Sequence, residues 1–333
     1  SGSTWTLESR ITASDEHSSS SFGRSVSLQN DLLVVGAPYD QANRGTVYAY
    51  RYLEGSWHEE AILVSADGEA GDRFGENVAV DGDTAVVGAF ADKVDGVATG
   101  SCYVFQFDGV SWSAGTRLSS PDGNTGDDFG GAIAINDEML LVGAKSHDSN
   151  SDSLVDGAAY LYARSSSGWS FAQKLVGADP TFSSFGSSVS LDHSFAVIGA
   201  HSHHVGTDEH GAAFFYSRHG NSITEFAQVT ASDGTLGDMF GFAVSLGDRF
   251  VAIAAPATDS GSSNSDAGAV YVFALGGPDC DLNDLPDVCE PDSDSDGVPD
   301  ACDICSGFDD RIDTDLDATP DGCDQCPFDN AND

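Results

Sequence analysis

The side chains of this sequence that are best spaced for chemistry are carboxylates close to its C-terminal end. The clearest run alternates aspartate with serine and continues with a glycine and a further aspartate: Asp292, Asp294, Asp296, Gly297 and Asp300. Carboxylates at the first, third and fifth positions of a tight loop converge on one point, and glycine at the sixth position permits the sharp turn. An acid at the ninth position can coordinate directly or through water. The run therefore predicts a calcium-binding loop.

Two further copies of this pattern flank the first, and both depart from it at the sixth position. One copy has its carboxylates at Asp313, Asp315, Asp317 and Asp321, with Ala318 in place of the glycine. The other includes an asparagine and consists of Asp279, Asp281, Asn283 and Asp287, with Asp284 in place of the glycine. We expect these two copies to bind calcium more weakly than the complete one. Three copies in register favour calcium over the alternative, a disordered acidic linker.

Six of the seven cysteines lie in the same region, and two pairs have the Cys-x-x-Cys spacing, Cys302 with Cys305 and Cys323 with Cys326. Clustered cysteines indicate disulfides and an oxidising, extracellular compartment. Such pairs also occur in zinc ribbons, but the calcium-type loops between them make zinc the less favoured interpretation. Cys102 lies alone in an aromatic segment, which is typical of a buried and inert thiol.

One group of histidines could ligate zinc or copper, namely His201, His203 and His204, with His210 nearby. No cysteine or well-placed carboxylate completes that site, so a solvated histidine-rich loop is the favoured interpretation. The sequence has no nucleophile elbow, no HExxH and no phosphate-binding glycine loop. Glycosidases need paired carboxylates, and with 54 acidic residues the sequence singles out no such pair. We therefore expect a protein that is not an enzyme.

The charge of the chain argues against several classes of partner. Its 13 Lys and Arg against 54 Asp and Glu give a formal net charge of −41. Nucleic acid is a poor partner for such a chain, because binding a duplex relies on Lys and Arg that neutralise phosphates. An anionic membrane face is disfavoured for the same reason, and no apolar run reaches the roughly 18 residues of a membrane span. We expect cations, above all calcium, as ligands, with no nucleic acid and no membrane insertion.

The part of the chain ahead of these loops is organised by a repeat. A Phe-Gly dipeptide followed by a Gly-Ala or Ala-Ala step occurs five times, with its phenylalanines at Phe22, Phe74, Phe129, Phe185 and Phe240. The steps between these phenylalanines are 52, 55, 56 and 55 residues. A period of this size is typical of a repeat architecture.

Each repeat contains short runs rich in β-branched and aromatic residues, separated by Gly, Asp and Ser, which predicts four strands. The second run is almost wholly apolar and is expected to be buried on both faces, whereas the fourth usually opens on tryptophan and is expected to be more exposed. Four antiparallel strands repeated around an axis form a propeller. The fifth repeat lacks its fourth run, and residues 5–11 have the matching pattern. We predict an all-β, five-bladed β-propeller over residues 1–275, closed by the N-terminal strand, rather than an open stack with an unpaired edge.

The repeated unit, as in Phe22-Gly23 with Gly36-Ala37-Pro38, resembles the FG-GAP repeats of integrin α-subunit propellers and of many secreted bacterial proteins. The resemblance covers about residues 4–275 and implies a β-propeller, usually of seven blades, where this sequence has five repeats. Members bind partner proteins or carry calcium loops after Gly-Ala-Pro, and some are attached to enzymes. The corresponding loops of this chain lack the full alternating set of acids, and the closest are residues 148–156 and 259–266.

From residue 276 the composition shifts to an acidic, cysteine-rich segment, 276–333, with the single basic residue Arg311. Its Asp-x-Asp-x-Asp-Gly motif followed by Cys-x-x-Cys resembles thrombospondin type 3 repeats. The resemblance implies that a cysteine ahead of each loop bonds to one behind it. That pattern would pair Cys289 with Cys302, and Cys305 with Cys323. We therefore expect a small irregular tail that calcium and disulfides order.

Together these features predict a secreted, calcium-binding, non-enzymatic protein with a structural or adhesive role at a cell surface or in extracellular matrix. Besides calcium, we expect it to bind further copies of itself or another surface protein or glycan. Cys280 and Cys326 are left over in the implied disulfide pattern, which suggests intermolecular bonds and an extracellular filament. Two alternatives stay open: a carbohydrate- or protein-binding module of a larger secreted enzyme, and a polysaccharide-active propeller.

Overall fold

The computed structural model describes residues 6–15, 17–148, 155–177, 183–205, 208–247, 249–258 and 267–274. These residues form five successive antiparallel sheets, one for each Phe-Gly repeat, so the predicted all-β, five-bladed β-propeller is confirmed. Helical structure in these ranges is confined to one short turn, α1 (Asp40–Asn43), in agreement with the expected near absence of helix. None of the described helical residues could form a membrane span, since that turn is far too short.

The strands of each blade follow one another along the chain. The first blade consists of β1 (Ser25–Gln29), β2 (Leu32–Ala37), β3 (Thr46–Leu53) and β4 (Ser56–Leu63). The second blade consists of β5 (Val78–Asp81), β6 (Thr84–Ala89), β9 (Ser101–Gln106) and β10 (Thr116–Leu118), with a hairpin of β7 (Lys93–Val94) and β8 (Val97–Ala98) between its middle strands.

The remaining blades repeat this order. The third blade consists of β11 (Ala132–Ile135), β12 (Met139–Ala144), β13 (Ala158–Ser165) and β14 (Gly168–Leu175). The fourth consists of β15 (Phe185–Leu191), β16 (Phe195–Ala200), β19 (Ala212–His219) and β20 (Ser222–Val229), with the hairpin β17 (His204–Val205) and β18 (Asp208–Glu209). The fifth consists of β21 (Ala243–Leu246), β22 (Phe250–Ala255) and β23 (Ala269–Ala274).

Burial of the strands follows their apolar content. The second strands β6, β12 and β16 are buried at every residue, as predicted for runs that are apolar throughout. The fourth strands β4 and β14 are mostly exposed or half-buried, also as predicted. Two strands differ from the prediction. Strand β10 is short, because Trp112 makes only an isolated bridge to Phe107. Strand β22 has a fully buried residue only at every second position, so the described residues cover one of its faces more completely than the other.

The Phe-Gly dipeptide fixes each blade against its neighbour. Phe74 is fully buried and packs edge to face on Tyr103 of the same blade, with 5.5 Å between ring centroids. The amide of Gly75 donates to the carbonyl oxygen of Gly88, also in the same blade. A Cβ atom on Gly36 of the preceding blade would lie closer than 3.0 Å to the carbonyl oxygen of Gly75. The Gly-Ala step therefore needs glycine because the backbone of the next blade lies against it.

The N-terminal segment does not complete the fifth blade, so this part of the prediction is wrong for the residues that the structure describes. The segment 5–11 contains no strand in its described part, and β23 lies at the edge of a sheet of three strands. Ile11 instead packs on a cluster that includes Tyr48 and Tyr50 of the first blade. The hydroxyl of Tyr50 donates to the carbonyl oxygen of Thr12 at 3.1 Å. These aromatic residues anchor the segment on blade one.

The chain divides into two compact units. The first comprises residues 1–246 and 252–272 and holds the blades described above, apart from parts of β22 and β23. The second comprises residues 247–251 and 273–333, and most of it lies outside the described residues. The predicted boundary after residue 275 and the tail that follows it, with its calcium loops and disulfides, therefore stay predictions.

Candidate functional site

The first three blades enclose a polar cavity of about 610 Å³. The first strands of these blades, β1, β5 and β11, lie next to one another, and the cavity opens where the chain enters them. Its charged lining residues are Arg24 from blade one, Arg73 and Glu76 from blade two, and Asp128 and Lys145 from blade three. The volume lies in the range of about 300–1,000 Å³ that is usual for ligand sites.

The repeat places several of these side chains at equivalent backbone positions. The residue before the phenylalanine of each repeat has a positive φ in all five blades, at Ser21 (53°), Arg73 (56°), Asp128 (60°), Ser184 (50°) and Met239 (61°). Residues other than glycine rarely adopt this conformation, and it persists where the surrounding structure fixes the backbone. The blades thus present four kinds of side chain from one fixed position, and Arg73 and Asp128 are the two residues that line the cavity.

Arg24 and Glu76 join the first two blades in the cavity wall. Nε and Nη2 of Arg24 lie 2.8 Å and 2.7 Å from Oε1 of Glu76. Each of the two residues is the second after the phenylalanine of its repeat. The hydrogen bond to Glu76, together with the charge of that carboxylate, raises the pKa of Arg24. The pair ties the wall of blade one to that of blade two.

Arg73 is held between two aromatic rings. Its guanidinium carbon lies 5.2 Å from the centroid of Tyr39 in blade one and 5.4 Å from that of Phe90 in blade two. Its amide donates to the carbonyl oxygen of Asn43 at 2.8 Å. Contacts of this kind use the faces of the guanidinium plane. The N–H donors at its edge are therefore left for other partners.

Lys145 follows the Gly-Ala step of blade three, and its side chain is exposed at the cavity. The nearby carboxylate of Asp128 accepts a hydrogen bond from the hydroxyl of Ser146 at 2.8 Å. Burial lowers the pKa of His201 in blade four, and the positive charge of Lys145 lowers it further. Among the residues that the structure describes, no carboxylate oxygen lies within 4.0 Å of the nitrogens of Lys145 or Arg73.

Other cations of the described chain do have such partners. Ion pairs to carboxylates are made by Arg51, Lys93, Arg117, Lys174 and Arg218. Six of the twelve described Lys and Arg residues make no such pair, although acidic residues outnumber basic ones by 54 to 13. The cavity brings two of them together, and with their free N–H donors they can bind an anion through charge-assisted hydrogen bonds.

A second repeated contact positions the loops that precede each Phe-Gly. In four blades a tyrosine hydroxyl of the third strand donates to an aspartate of that loop, at distances from 2.6 to 2.9 Å: Tyr48 to Asp15, Tyr103 to Asp67, Tyr160 to Asp122 and Tyr271 to Asp233. Blade four has Phe214 at this position, and the ring of His203 packs on it edge to face. These bonds give the aspartates of the four loops a structural role.

Blade three adds a polar network behind the cavity. Nζ of Lys174 lies 2.6 Å from Oδ2 of Asp122 and 2.8 Å from Nε2 of His147, and Nδ1 of His147 lies 2.7 Å from Oδ2 of Asp127. Because an ammonium group only donates, Nε2 of His147 accepts and its Nδ1–H donates to Asp127. Burial alone would raise the pKa of Asp122, but the hydrogen bonds from Lys174 and Tyr160 outweigh burial and hold it below its usual value. These groups satisfy one another and serve to fix the blade.

The predicted histidine cluster is not brought together as a metal site. His203 is buried, and its Nε2 lies 2.9 Å from the side-chain nitrogen of Gln228. His201 packs edge to face on Phe242, with 5.8 Å between ring centroids. Across the described ranges, no three or more His, Cys, Asp or Glu side chains are grouped so as to hold a metal ion. The favoured expectation of a solvated loop is wrong for His203, which is buried and packs on Phe214 of blade four.

The remaining predicted sites fall largely outside the described residues. This holds for all twelve calcium ligands, Asp279, Asp281, Asn283, Asp287, Asp292, Asp294, Asp296, Asp300, Asp313, Asp315, Asp317 and Asp321. It also holds for most of the blade loops 148–156 and 259–266. Cys102 is a buried free thiol, as predicted, and burial raises its pKa.

Sequence reasoning did not find the cavity. The signal was nevertheless present, because Arg73 and Lys145 occupy positions that frame the Phe-Gly and Gly-Ala steps of neighbouring repeats. Aligning the repeats and asking where the few basic residues fall would have placed both at the same end of adjacent blades. What the sequence could not show is that neither cation makes an ion pair within 4.0 Å to a described carboxylate.

Comparison with known proteins agrees with this architecture. Among curated proteins, none matches the sequence. Among solved structures, the chain is similar to the WD40 domain of Pan2 from Neurospora crassa, with 12% identity and a TM-score of 0.43, over 76% of this chain and 62% of that one. The sequence profile described as FG-GAP repeat matches five segments, residues 5–50, 57–105, 112–162, 169–216 and 223–273, each with one Phe-Gly unit. These segments cover more than half of the sequence, and the chain therefore belongs to the FG-GAP repeat family.

Proposed function

We propose that this chain is a secreted, non-enzymatic protein-binding module with a structural or adhesive role, and that its C-terminal loops bind calcium. The observation that carries the binding function is the cavity lined by blades one, two and three. Its Arg73 and Lys145 have no carboxylate partner within 4.0 Å among the described residues. FG-GAP propellers generally mediate protein interactions, which favours a protein over a small molecule as the partner.

The carboxylates of the cavity favour binding over hydrolysis. A glycosidase needs one carboxyl group that donates a proton and a second that acts as base or nucleophile. In this cavity Glu76 is paired with Arg24, and Asp128 accepts a hydrogen bond from Ser146. Each of these carboxylates thus has a partner in the wall of the cavity. The polysaccharide-active alternative needs one of them to be protonated at working pH.

The calcium function rests on the sequence of residues 279–321. Its three Asp-rich loops supply the hard oxygen ligands that calcium prefers, and the clustered cysteines favour an extracellular setting. Calcium binding by the full chain is tested by calorimetry on the intact protein and on the variant Asp294→Asn/Asp296→Asn. We expect the variant to lose the tightest site. Equal binding by both proteins would refute the assignment.

The binding function is tested on arrays of extracellular proteins and of glycans with the labelled full chain, together with a screen for polysaccharide hydrolysis. We expect saturable binding to a protein and no turnover. Turnover of a polysaccharide that Glu76→Gln or Asp128→Asn abolishes would contradict the proposal in favour of the enzyme. Self-association is measured in the same samples by sedimentation and by non-reducing gels at millimolar calcium, where a filament-forming subunit gives disulfide-linked multimers.

A further inference from the structure

We propose that the cavity lined by blades one, two and three binds a carboxylate side chain of a partner protein. Arg73 and Lys145 are the two cations that hold this carboxylate. This inference rests on the proposed protein-binding function and names the chemistry that the partner must present. The ligand is an acidic residue within a peptide segment.

The side chains that line the cavity have a net positive charge. Its lining carries three cations, Arg24, Arg73 and Lys145, against two carboxylates, Glu76 and Asp128, which leaves one net positive charge. Arg24 and Glu76 neutralise each other at 2.7 Å. A cavity with one net positive charge in a chain of net charge −41 is matched by a single anionic group rather than by a polyanion.

The cavity wall offers hydrogen-bond donors to a ligand. The neutral polar groups of the wall are already engaged, since Ser25 Oγ donates to the carbonyl oxygen of Gly75 and Asn77 Nδ2 donates to that of Gly131. The guanidinium of Arg73 and the ammonium of Lys145 are therefore the charged groups of the wall without an ion pair among the described residues. A carboxylate matches the fork of an arginine with two parallel hydrogen bonds.

The side chain of Arg73 is already held in place before a ligand binds. Arg73 is clamped by the Tyr39 and Phe90 rings at 5.2 Å and 5.4 Å, and its backbone is tied to Asn43. A side chain that is already ordered loses less conformational entropy when it binds. A receptor built in this way gains affinity from groups that do not have to be arranged during the encounter.

A protein carboxylate fits this cavity better than an acidic sugar does. Sugar rings bind by stacking on exposed aromatic faces, and Phe90, which lines the cavity, already has the guanidinium of Arg73 against its ring. The surrounding surface has a large negative charge, which repels an acidic polymer of either kind at long range. The segment that binds should therefore carry one carboxylate among uncharged or basic residues.

The test selects short displayed peptides on the full chain and measures their affinity for variants. We expect the selected peptides to share an aspartate or glutamate. Changing that residue to its amide, or making Arg73→Gln or Lys145→Gln in the protein, should weaken binding by about tenfold or more. Lys93→Gln is the matched control, since it removes an equal charge from an exposed, ion-paired lysine of the same unit and should leave affinity unchanged.

Each other outcome refutes the inference. Peptides that bind the wild type and all three variants equally would place binding elsewhere, and the protein-binding function would survive. Failure to select any peptide that depends on Arg73 and Lys145 would refute the carboxylate site itself. Oligosaccharides of uronic acids, tested on the same variants, would replace the peptide as ligand if they alone bound and lost binding with the two cations. If Arg73→Gln does not fold, Lys145→Gln and Lys145→Glu at the exposed position decide the question.

Discussion

Gly36 of the first blade lies against the carbonyl oxygen of Gly75 in the second, so closely that a Cβ atom at Gly36 would overlap that oxygen. The same relationship recurs between Gly88 and Gly130, between Gly143 and Gly186, and between Gly199 and Gly241. The Gly-Ala step of one repeat and the Phe-Gly step of the next are thus the two sides of one contact between blades. This contact explains why both dipeptides are kept at a constant spacing along the chain.

Gly36→Ala should destabilise the protein strongly, because the atom that it would displace belongs to the backbone of the next blade. We expect a loss of about 2–3 kcal/mol or more in the free energy of unfolding, as for overpacking that the structure cannot relieve. Gly247→Ala is the control, since Gly247 also lacks a positive φ and the nearest atom to a Cβ there, the carbonyl oxygen of Phe250, is 3.7 Å away. Chemical denaturation compares the two, and an equal loss would show that the close approach is not needed.

Tyr103→Phe should cost more stability than Tyr271→Phe. The hydroxyl of Tyr103 lies 2.9 Å from a carboxylate oxygen of Asp67 and 2.9 Å from one of the buried Asp92, which share its single proton. Its removal leaves a buried carboxylate short of a donor. A loss of about 1–3 kcal/mol is expected for such a group. Tyr271 makes its bond at an exposed site and should cost less than about 1 kcal/mol. Thermal melting of both variants tests the order, which would be wrong if the Tyr271 variant proved the weaker.

Lys145→Gln should raise the pKa of His201. Burial lowers this pKa first and the positive charge of Lys145 lowers it further, while Glu209 opposes them. Removing the lysine charge therefore moves the pKa up toward the usual value of about 6.5. A depressed histidine pKa costs stability as the pH falls below about 6.5, so the variant should lose less stability in acid. The pKa of His201 is read from its imidazole resonances by NMR, with Lys93→Gln as control, and an unchanged value would show that Lys145 does not act on His201.

Removal of residues 1–10 should be tolerated, whereas removal of residues 1–15 should not. The longer deletion takes away Ile11, which packs on the first blade, and Asp15, which accepts the hydroxyl of Tyr48 at 2.6 Å. It would remove part of the packing on the cluster that contains Tyr48 and Tyr50. Melting temperatures of the two truncated chains are the measurement. Equal destabilisation by both deletions would instead support a fourth strand supplied by residues 5–11 to the fifth blade.

The fold could be predicted from the sequence because the repeat of Phe-Gly and Gly-Ala along the chain reflects the contact between neighbouring blades. Phe74 and its equivalents, and the glycines that follow them, sit at positions where only one residue type fits, so the repeat is visible without an alignment. The place of the N-terminal segment could not be read in this way. Its alternating pattern suits an edge strand, but the tyrosines of blade one, which hold Ile11 and Asp15, are distant in sequence and become neighbours only in the folded chain.

The cavity was not predictable for a related reason. Arg73 and Lys145 are 72 residues apart, and neither belongs to a motif that signals binding. Their significance comes from their common place in the cavity and from the lack of an ion pair to a carboxylate among the described residues. The Asp-rich calcium loops show the reverse situation, since their ligands are close in sequence and the spacing alone defines the chemistry.

The position of a bound carboxylate tests most directly whether Arg73 and Lys145 form the binding site. A crystal structure of the full chain with a selected acidic peptide would show it. We predict that the carboxylate oxygens lie within hydrogen-bond distance of the Arg73 guanidinium and the Lys145 ammonium, with Arg73 still between Tyr39 and Phe90. A peptide whose carboxylate lies outside the cavity, with both cations untouched, would contradict the central claim.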